Sequence, residues 1–222
     1  MADSAHFWDR IANKYAKTPI RDEDGYRDTL ARTKTYLGPN DTVLEMGCGT
    51  GSTALELAPK VGRMVATDYS AQMIRIARDK LTQSAIPNLA FEQAAVDDPD
   101  ATPGPFDAIL AHNLLHLVED VPACLRQVHR RLKPGGVFIS KSACLADANM
   151  LLRLTIPVMK LLGKAPSIAA FRADQLDQMV LMQGLIWLKC AANRALPLFA
   201  MLWPGRFNTP WRPRPYGGRC RP

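Results

Sequence analysis

The 222-residue chain lacks the patterns that mark several large classes of protein. Its five cysteines, at positions 48, 124, 144, 190 and 220, are odd in number and form no C-x-x-C pair. This spacing argues against a disulfide framework or a zinc site and is typical of a reducing compartment, so we expect a cytoplasmic protein without a metal ion. No run reaches about 18 uninterrupted apolar residues, which argues against a membrane-spanning helix. The first residues, MADSAHFWDR, lack the basic and apolar segments of a secretory signal.

The net charge of +7 is concentrated near the C-terminus. Five arginines lie within the last 17 residues: Arg206, Arg212, Arg214, Arg219 and Arg221. Such a patch suits nucleic acid or anionic lipid. The same stretch is rich in proline and glycine and cannot build a core, which favours a disordered basic tail over residues 205–222. We therefore expect no nucleic-acid partner.

Short apolar runs alternate with segments of helical periodicity. Strands are predicted at residues 42–46, 63–68, 89–94, 106–113 and 137–142, and helices at 6–17, 29–37, 52–60 and 121–132. A further helix, after Ser70, would carry Met73, Ile74, Ala77 and Leu81 on one face. Ser70 and Asp120 stand where helix caps are needed, and the KPGG segment at 133–136 is predicted to turn the chain into the fifth strand. Strands spaced by helices predict an α/β fold, with a parallel sheet covered on both faces.

The segment VLEMGCGTGSTAL, residues 43–55, predicts a strand, a tight glycine turn and a helix. Glycines at such a turn let the backbone approach a ligand, since no Cβ stands in the way. Asp68 ends the next strand, where a carboxylate can accept both hydroxyl groups of a ribose. These features predict a nucleotide-like ligand but do not distinguish a dinucleotide from other adenosine-containing cofactors.

Two residues argue against a dinucleotide. The G-x-G-x-x-G/A fingerprint that starts at Gly47 needs glycine or alanine at position 52, where the chain has Ser52. Glu45 would repel a pyrophosphate, whereas it suits a ligand that carries an ammonium group. S-adenosylmethionine carries an α-ammonium, a sulfonium, a ribose and an adenine.

With these residues in place, the sequence resembles the class I S-adenosylmethionine-dependent methyltransferases. The motifs VLEMGCGTGS, VATDYSAQMI and LKPGGVFISK occur in the family's order, and the resemblance runs from Phe7 to Leu188. FWDRIANKYA and AHNLLHL are similar to the small-molecule subgroup that includes quinone-biosynthesis methyltransferases. The resemblance implies a Rossmann-like, doubly wound, mostly parallel seven-stranded sheet with helices on both faces. Segments 184–189 and 197–203 would supply its last two strands.

The resemblance also implies an activity and a site. The activity is in-line transfer of a methyl group from S-adenosylmethionine to a small-molecule acceptor, which leaves S-adenosylhomocysteine. The methionine moiety would be oriented by Glu45, the ribose held by Asp68 and the pocket closed by Tyr15. The other implied cofactor contacts are Gly47, Cys48, Gly49, Tyr69, Met73, Val96, Ala111, His112 and Asn113. His112 and His116 are candidate general bases, although each could equally be a core residue.

The chain departs from the family at the acid that receives the adenine amino group. Ala95 stands at that position, and Asp97 could substitute for the missing carboxylate. We expect one domain over residues 1–204, with a helical cap at 1–37 and a helical insert at 143–172. The insert has an apolar stripe, so it is either a lid for a lipophilic acceptor, working in peripheral contact with a membrane, or an ordinary packed helix.

Two other functions remain open from the sequence. A catalytically silent relative that binds S-adenosylmethionine or serves in assembly would tolerate Ala95, but it need not keep Glu45 and Asp68. An NAD-dependent oxidoreductase would share the fold, but Ser52 and Glu45 count against it.

Overall fold

The computed structural model describes residues 2–98, 100–142, 169, 171–183, 186–190 and 198–202. The helices are α1 Ala2–Lys17, α2 Glu23–Thr35, α3 Ser52–Leu57, α4 Ala71–Thr82, α5 Val121–Arg131 and α6 Ala173–Leu181. The strands are β1 Thr42–Met46, β2 Arg63–Asp68, β3 Leu89–Gln93, β4 Phe106–His112, β5 Leu132–Lys141, β6 Ile186–Cys190 and β7 Leu198–Leu202. Short 3-10 turns lie at Ala58–Lys60 and Leu115–Leu117.

The sheet has the strand order β3-β2-β1-β4-β5-β7-β6. Strands β1 to β5 pair in parallel, while β7 runs antiparallel to both β5 and β6. The order reverses beside β1, so a crevice opens at the carboxyl ends of β1 and β4, where open α/β sheets bind ligands. The predicted mostly parallel, Rossmann-like α/β fold is confirmed.

Hydrophobic side chains on opposite faces of the same strands build two cores. On β1, Leu44 belongs to the core under α5 and α6, and Val43 belongs to the core under α2, α3 and α4. On β4, Ile109 and Leu110 divide in the same way. Alternate side chains of a strand face opposite sides of a sheet, so a continuously apolar strand is buried on both faces.

The predicted caps and two of the predicted strands are found as expected. The Ser70 hydroxyl accepts a hydrogen bond from the amide of Met73 at 3.1 Å, and Asp120 accepts one from the amide of Ala123 at 2.8 Å. Strands β1 and β2 have the predicted bounds. The two capped helices, α4 and α5, follow β2 and β4, so they begin at the carboxyl edge of the sheet, beside the crevice.

Helix α1 begins at Ala2 rather than at residue 6, and two other predicted boundaries were wrong by five residues or more. Helix α2 begins at Glu23 rather than at residue 29, because Asp22 caps it through the amide of Gly25 at 2.9 Å. The KPGG segment lies within β5 rather than before it. Leu132 already pairs with Phe106 there, and a shift in register absorbs the segment before regular pairing resumes.

Two further predictions concern segments that lie mostly or entirely outside the described residues. Of the predicted insert at 143–172, the structure describes only Ala169, Phe171 and Arg172, and the predicted tail at 205–222 lies outside the described residues. Among the helices that are described, none is both long and apolar enough to cross a bilayer.

Candidate functional site

The turn between β1 and α3 contains three glycines in left-handed conformations. A Cβ atom at Gly47 would lie 2.6 Å from a side-chain carbon of Leu114, and one at Gly51 would lie 2.6 Å from the ring of Phe91. At Gly49 the nearest atom, 3.9 Å away, belongs to the ring of Tyr15. Gly47 and Gly51 thus let the turn pack against the protein, whereas Gly49 turns its bare backbone toward open space.

The glycine turn is fastened to the end of β2. The amide of Cys48 donates to the carbonyl of Thr67, and the amide of Gly49 donates to Oδ2 of Asp68, both at 2.9 Å. The other carboxylate oxygen of Asp68 accepts from the amide of Ser70 at 2.9 Å. Each carboxylate oxygen has a second lone pair, so Asp68 can hold the turn and still accept hydrogen bonds from a ligand. Burial raises its pKa, and the backbone N–H groups oppose that shift.

A cavity of about 610 Å³ opens beside this turn, at the carboxyl ends of β1, β2 and β4. Most of the predicted cofactor contacts line it together. They are Tyr15, Glu45, Gly47, Cys48, Gly49, Asp68, Tyr69, Met73, Val96, His112 and Asn113. The cavity size suits a ligand of cofactor dimensions, since such pockets measure roughly 300–1,000 Å³.

Two of the predicted residues do not line the cavity. Ala111 precedes the last residue of β4, and its fully buried side chain belongs to the same core as Leu44 and Phe138. His116 lies in the turn after β4, where its carbonyl accepts from the amide of Ala169 at 2.8 Å. Burial lowers the pKa of His116. The structure therefore leaves His112 as the histidine that faces the cavity.

The chain turns sharply where β4 ends. Asn113 adopts a left-handed conformation with φ of 54°, and its amide donates to the carbonyl of Lys141 at 2.6 Å. Asparagine tolerates this conformation better than most residues other than glycine. The turn takes the chain from β4 to Leu114, whose side chain fills the space next to Gly47.

Glu45 and His112 are two titratable residues that lie side by side in the cavity wall. The Glu45 side chain is almost fully buried, and burial, together with the nearby Asp68 carboxylate, raises its pKa to about 8. Burial, aided by the Lys141 ammonium, lowers the pKa of His112 to about 4. Glu45 Oε1 lies 4.0 Å from His112 Nδ1. Without a ligand, then, both groups are predominantly neutral near pH 7, and a cationic ligand would restore the charge on Glu45.

Helix α1 covers the cavity. Asp9 on this helix accepts from the Ser70 hydroxyl at 2.6 Å and from the amide of Gln72 at 3.0 Å, which fastens α1 to the start of α4. The rings of Trp8 and Tyr15, both on the cavity wall, meet edge to face at 6.1 Å. The sequence prediction included Tyr15 but missed Asp9.

Sequence reasoning also missed much of the outer wall. Residues 18–21, in the connection between α1 and α2, line the cavity, as do residues 117–120 after β4 and Tyr26 on α2. A loop without a motif carries no local signal for such a role. For Asp9 a signal exists: it lies three residues before the fully buried Ala12, on the helix face that packs inward.

The segment after β3 brings Ala95, Val96 and Asp97 to the cavity wall. One oxygen of Asp97, Oδ1, is buried without a hydrogen-bond partner in the part of the chain that the structure describes. An unpaired buried carboxylate oxygen is costly, so a ligand donor that reached it would be favoured.

The thiol of Cys48 does not have the environment of a nucleophile. Burial raises its pKa, and the nearby Glu45 and Asp68 carboxylates raise it further, so the reactive thiolate is disfavoured. Across the described ranges, no group of three or more histidine, cysteine, aspartate or glutamate side chains is arranged to hold a metal ion.

The sequence matches the model of a protein family described as "Methyltransferase domain" over residues 37–180. This range includes the glycine turn, Asp68 and the ends of β3 and β4. The chain belongs to this methyltransferase family, and the predicted resemblance is confirmed.

The chain is also similar to curated relatives and to solved structures. A 2-phytyl-1,4-naphtoquinone methyltransferase from Nostoc sp. is 36% identical over 102 residues, which cover 44% of this chain and 44% of the relative. A magnesium-protoporphyrin O-methyltransferase from Rhodobacter capsulatus is 31% identical over 150 residues, or 60% of this chain and 66% of the relative. The chain thus spans about half to two thirds of the length of these relatives. A DhpI complex with S-adenosylhomocysteine superposes with a TM-score of 0.71 at 22% identity, covering 93% of this chain and 97% of that one.

Proposed function

We propose that this chain transfers a methyl group from S-adenosylmethionine to a small-molecule acceptor and leaves S-adenosylhomocysteine. The observation that carries the proposal is the buried Glu45 carboxyl beside the open backbone of Gly49 and the carboxylate of Asp68, all on one cavity wall. A dinucleotide would bring phosphates to Glu45, whereas S-adenosylmethionine brings an ammonium group. Membership of the methyltransferase family supports the same ligand.

We assign the parts of the cofactor to the wall in chain order. Glu45 takes the ammonium and the free lone pairs of Asp68 take the ribose hydroxyls. Tyr69, Met73 and Val96 pack around the adenine, as all three line the same cavity. Asp97 takes the adenine amino group in place of the acid that is missing at Ala95, because its buried Oδ1 has no hydrogen-bond partner among the described residues. Cys48 serves as a small packing residue next to the methionyl chain.

The chain's own contribution to the reaction is alignment in a site that excludes water. When bound, the cofactor supplies a methyl group that an acceptor atom attacks in line, while the broken bond's electron pair stays on sulfur. Holding two reactants in that geometry contributes about 7–11 kcal/mol to lowering the barrier. Tyr15, beside Gly49, can place its ring against the sulfonium, an interaction that contributes about 0.5–2 kcal/mol.

We propose an acceptor that is small and lipophilic. The outer wall includes Trp8, Ile20, Leu117 and Val118, and the Ile20 side chain is 45% exposed at the cavity's edge. The relatives named above act, by their names, on a quinone and a porphyrin. Of the two predicted general bases, His112 lines the cavity, but its pKa of about 4 makes it a weak base. A base is needed only for an acceptor that is protonated at rest.

We also propose the organisation of the whole chain. Residues 1–204 form one domain with a seven-stranded sheet, which β7 and β6 complete, and residues 1–37 form its cap. The segment 143–172 contributes a helical insert or lid, and 205–222 forms a disordered basic tail. The scattered cysteines suit a cytoplasmic location.

Methyl transfer can be tested with S-adenosylmethionine that carries an isotopically labelled methyl group. The purified protein is incubated with phenols, catechols and reduced quinones, and labelled product is measured, with Asp68→Ala as the matched inactive variant. Labelled product that depends on Asp68 supports the proposal. Tight cofactor binding without transfer to any acceptor would favour the catalytically silent module instead.

A further inference from the structure

Two residues that line the cavity each carry a buried polar atom without a partner. Oε2 of Glu45 and Nδ1 of His112 have no hydrogen-bond partner in the part of the chain that the structure describes. The side chains are 3% and 8% exposed, and Oε1 of the same Glu45 carboxyl lies 4.0 Å from the histidine nitrogen. A buried polar atom without a hydrogen bond destabilises the protein. Two such atoms on neighbouring residues of a cavity wall therefore indicate a ligand that donates hydrogen bonds to them.

A threonine on α2 favours one tautomer of His112. Thr33 Oγ1 donates its single proton to the carbonyl of Thr29 at 2.9 Å, so it can only accept from His112 Nε2, which lies 3.3 Å away. This arrangement favours the tautomer of His112 that carries its proton on Nε2. A neutral ring with that proton leaves a lone pair on Nδ1, the atom nearest to Glu45.

Helix α2 is itself fastened to the sheet at this point. The Lys141 ammonium, at the end of β5, donates to the hydroxyl of Thr29 at 2.9 Å. Thr33 is fully buried one helical turn further along, between this contact and His112. The contact between Thr33 and His112 is thus held in place by the packing of α2 against the sheet.

We propose that His112 Nδ1 is a second acceptor, beside Glu45, for the α-ammonium of the bound cofactor, and that Thr33 is the positioning residue that holds Nδ1 unprotonated. The inference rests on the proposed function and names a contact within that site. Two acceptors 4.0 Å apart can both be reached by one nitrogen at hydrogen-bond distance, about 2.9 Å. An ammonium has the several N–H donors this requires, whereas a hydroxyl has one.

Two ligands and two pairs of variants test the proposal by calorimetry. S-adenosylhomocysteine carries the amino group, and 5′-methylthioadenosine lacks the whole amino-acid chain. His112→Leu and Thr33→Val should weaken S-adenosylhomocysteine binding by about tenfold or more, the loss expected when a hydrogen bond to a charged group is removed. Both should leave 5′-methylthioadenosine binding within about twofold. His112→Asn, which keeps a side-chain acceptor near the position of Nδ1, and Thr33→Ser, which keeps the hydroxyl, should restore most of the affinity.

Nitrogen NMR of the ¹⁵N-histidine-labelled protein tests the tautomer directly. In the ligand-free protein, His112 should show a protonated Nε2 and an unprotonated Nδ1, and S-adenosylhomocysteine should shift the Nδ1 resonance. A proton on Nδ1 in the free wild type would overturn the inference, as would equal losses of affinity for both ligands. If the wild type binds S-adenosylhomocysteine and the variants bind it equally well, only this inference fails. If the wild type does not bind it, the proposed function fails as well.

Discussion

Asp9 and Ser70, 61 residues apart in the chain, are joined by a hydrogen bond of 2.6 Å from the serine hydroxyl to the aspartate carboxylate. Ser70 accepts from the amide of Met73 through the same hydroxyl oxygen, so one side chain both caps α4 and anchors α1. The helix that covers the cavity is thereby attached to the strand end that carries Asp68. A change that loosens α1 should consequently also weaken ligand binding in the cavity that α1 covers.

Asp9→Ala should loosen α1 without unfolding the sheet. Two hydrogen bonds to the carboxylate are lost, each contributing about 1.5–3 kcal/mol when the charged acceptor is shielded from water. We expect faster amide hydrogen exchange in α1 and cofactor affinity weakened about tenfold. Asp28→Ala, which removes an exposed carboxylate paired with Arg32 on α2, is the matched control. Unchanged exchange in α1 would show that Asp9 is not its anchor.

Asp68→Ala should weaken S-adenosylmethionine binding by roughly 1.5–3 kcal/mol, because hydrogen bonds to a charged acceptor are lost. The same change releases the amide of Gly49, so the glycine turn should also become less ordered. Calorimetric titration measures the affinity, and Asp79→Ala, an exposed carboxylate on α4, is the control. Full affinity in Asp68→Ala would remove this residue from its ribose role.

Glu45→Gln should stabilise the ligand-free protein at pH 8 more than at pH 5. The pKa of Glu45 is about 8 in the folded chain and has its ordinary value of 4.5 in the unfolded chain. Between these values the folded state holds a proton that the unfolded state has released. The wild type therefore loses stability as the pH rises through this window, by up to about 1.4 kcal/mol per pH unit. Glutamine does not titrate, so the variant does not lose stability in this way as the pH rises.

The measurement is the free energy of unfolding of both proteins in denaturant at several pH values. The difference between variant and wild type should grow from pH 5 to pH 8 and stay constant above it. The variant should at the same time lose affinity for S-adenosylmethionine, since its amide cannot neutralise an ammonium. Parallel stability curves would mean that Glu45 is ionised in the free protein.

Asp97→Ala should remove the protein's preference for a ligand with an adenine amino group over one with an oxygen at that position. The wild type should bind S-adenosylhomocysteine more tightly than S-inosylhomocysteine, in which an oxygen replaces that amino group and would face the Asp97 carboxylate. The variant should bind the two ligands with similar affinity. A preference that survives in Asp97→Ala would place the adenine contact elsewhere on the wall, such as on backbone groups near Ala95.

The parts of the site that could be predicted from sequence are those whose residues are close together along the chain. Gly47, Gly49 and Glu45 follow one another within a strand and turn, so their spacing alone indicates the site. Asp68 could be added because parallel strands bring their carboxyl ends to one edge. The family resemblance added Ala111 as a cofactor contact, but its side chain belongs to the core below that edge.

The rest depends on how separate helices pack. Thr33 and His112 are 79 residues apart, and their contact exists because α2 packs on the ends of β4 and β5. The wall formed by residues 18–21 has no motif at all, since a loop takes its place from the helices on either side. The continuation of β5 through KPGG was missed because its pairing with β4 overrides the usual turn preference of proline and glycine.

The central claim is that this cavity binds S-adenosylmethionine. Its most direct test is calorimetric titration of the purified protein with S-adenosylmethionine, S-adenosylhomocysteine and, as the control, NAD. We predict saturable binding of the first two at one site per chain, with no heat from NAD, and binding weakened by roughly 1.5–3 kcal/mol in Asp68→Ala. Binding of NAD alone, or of none of the three, would contradict the account.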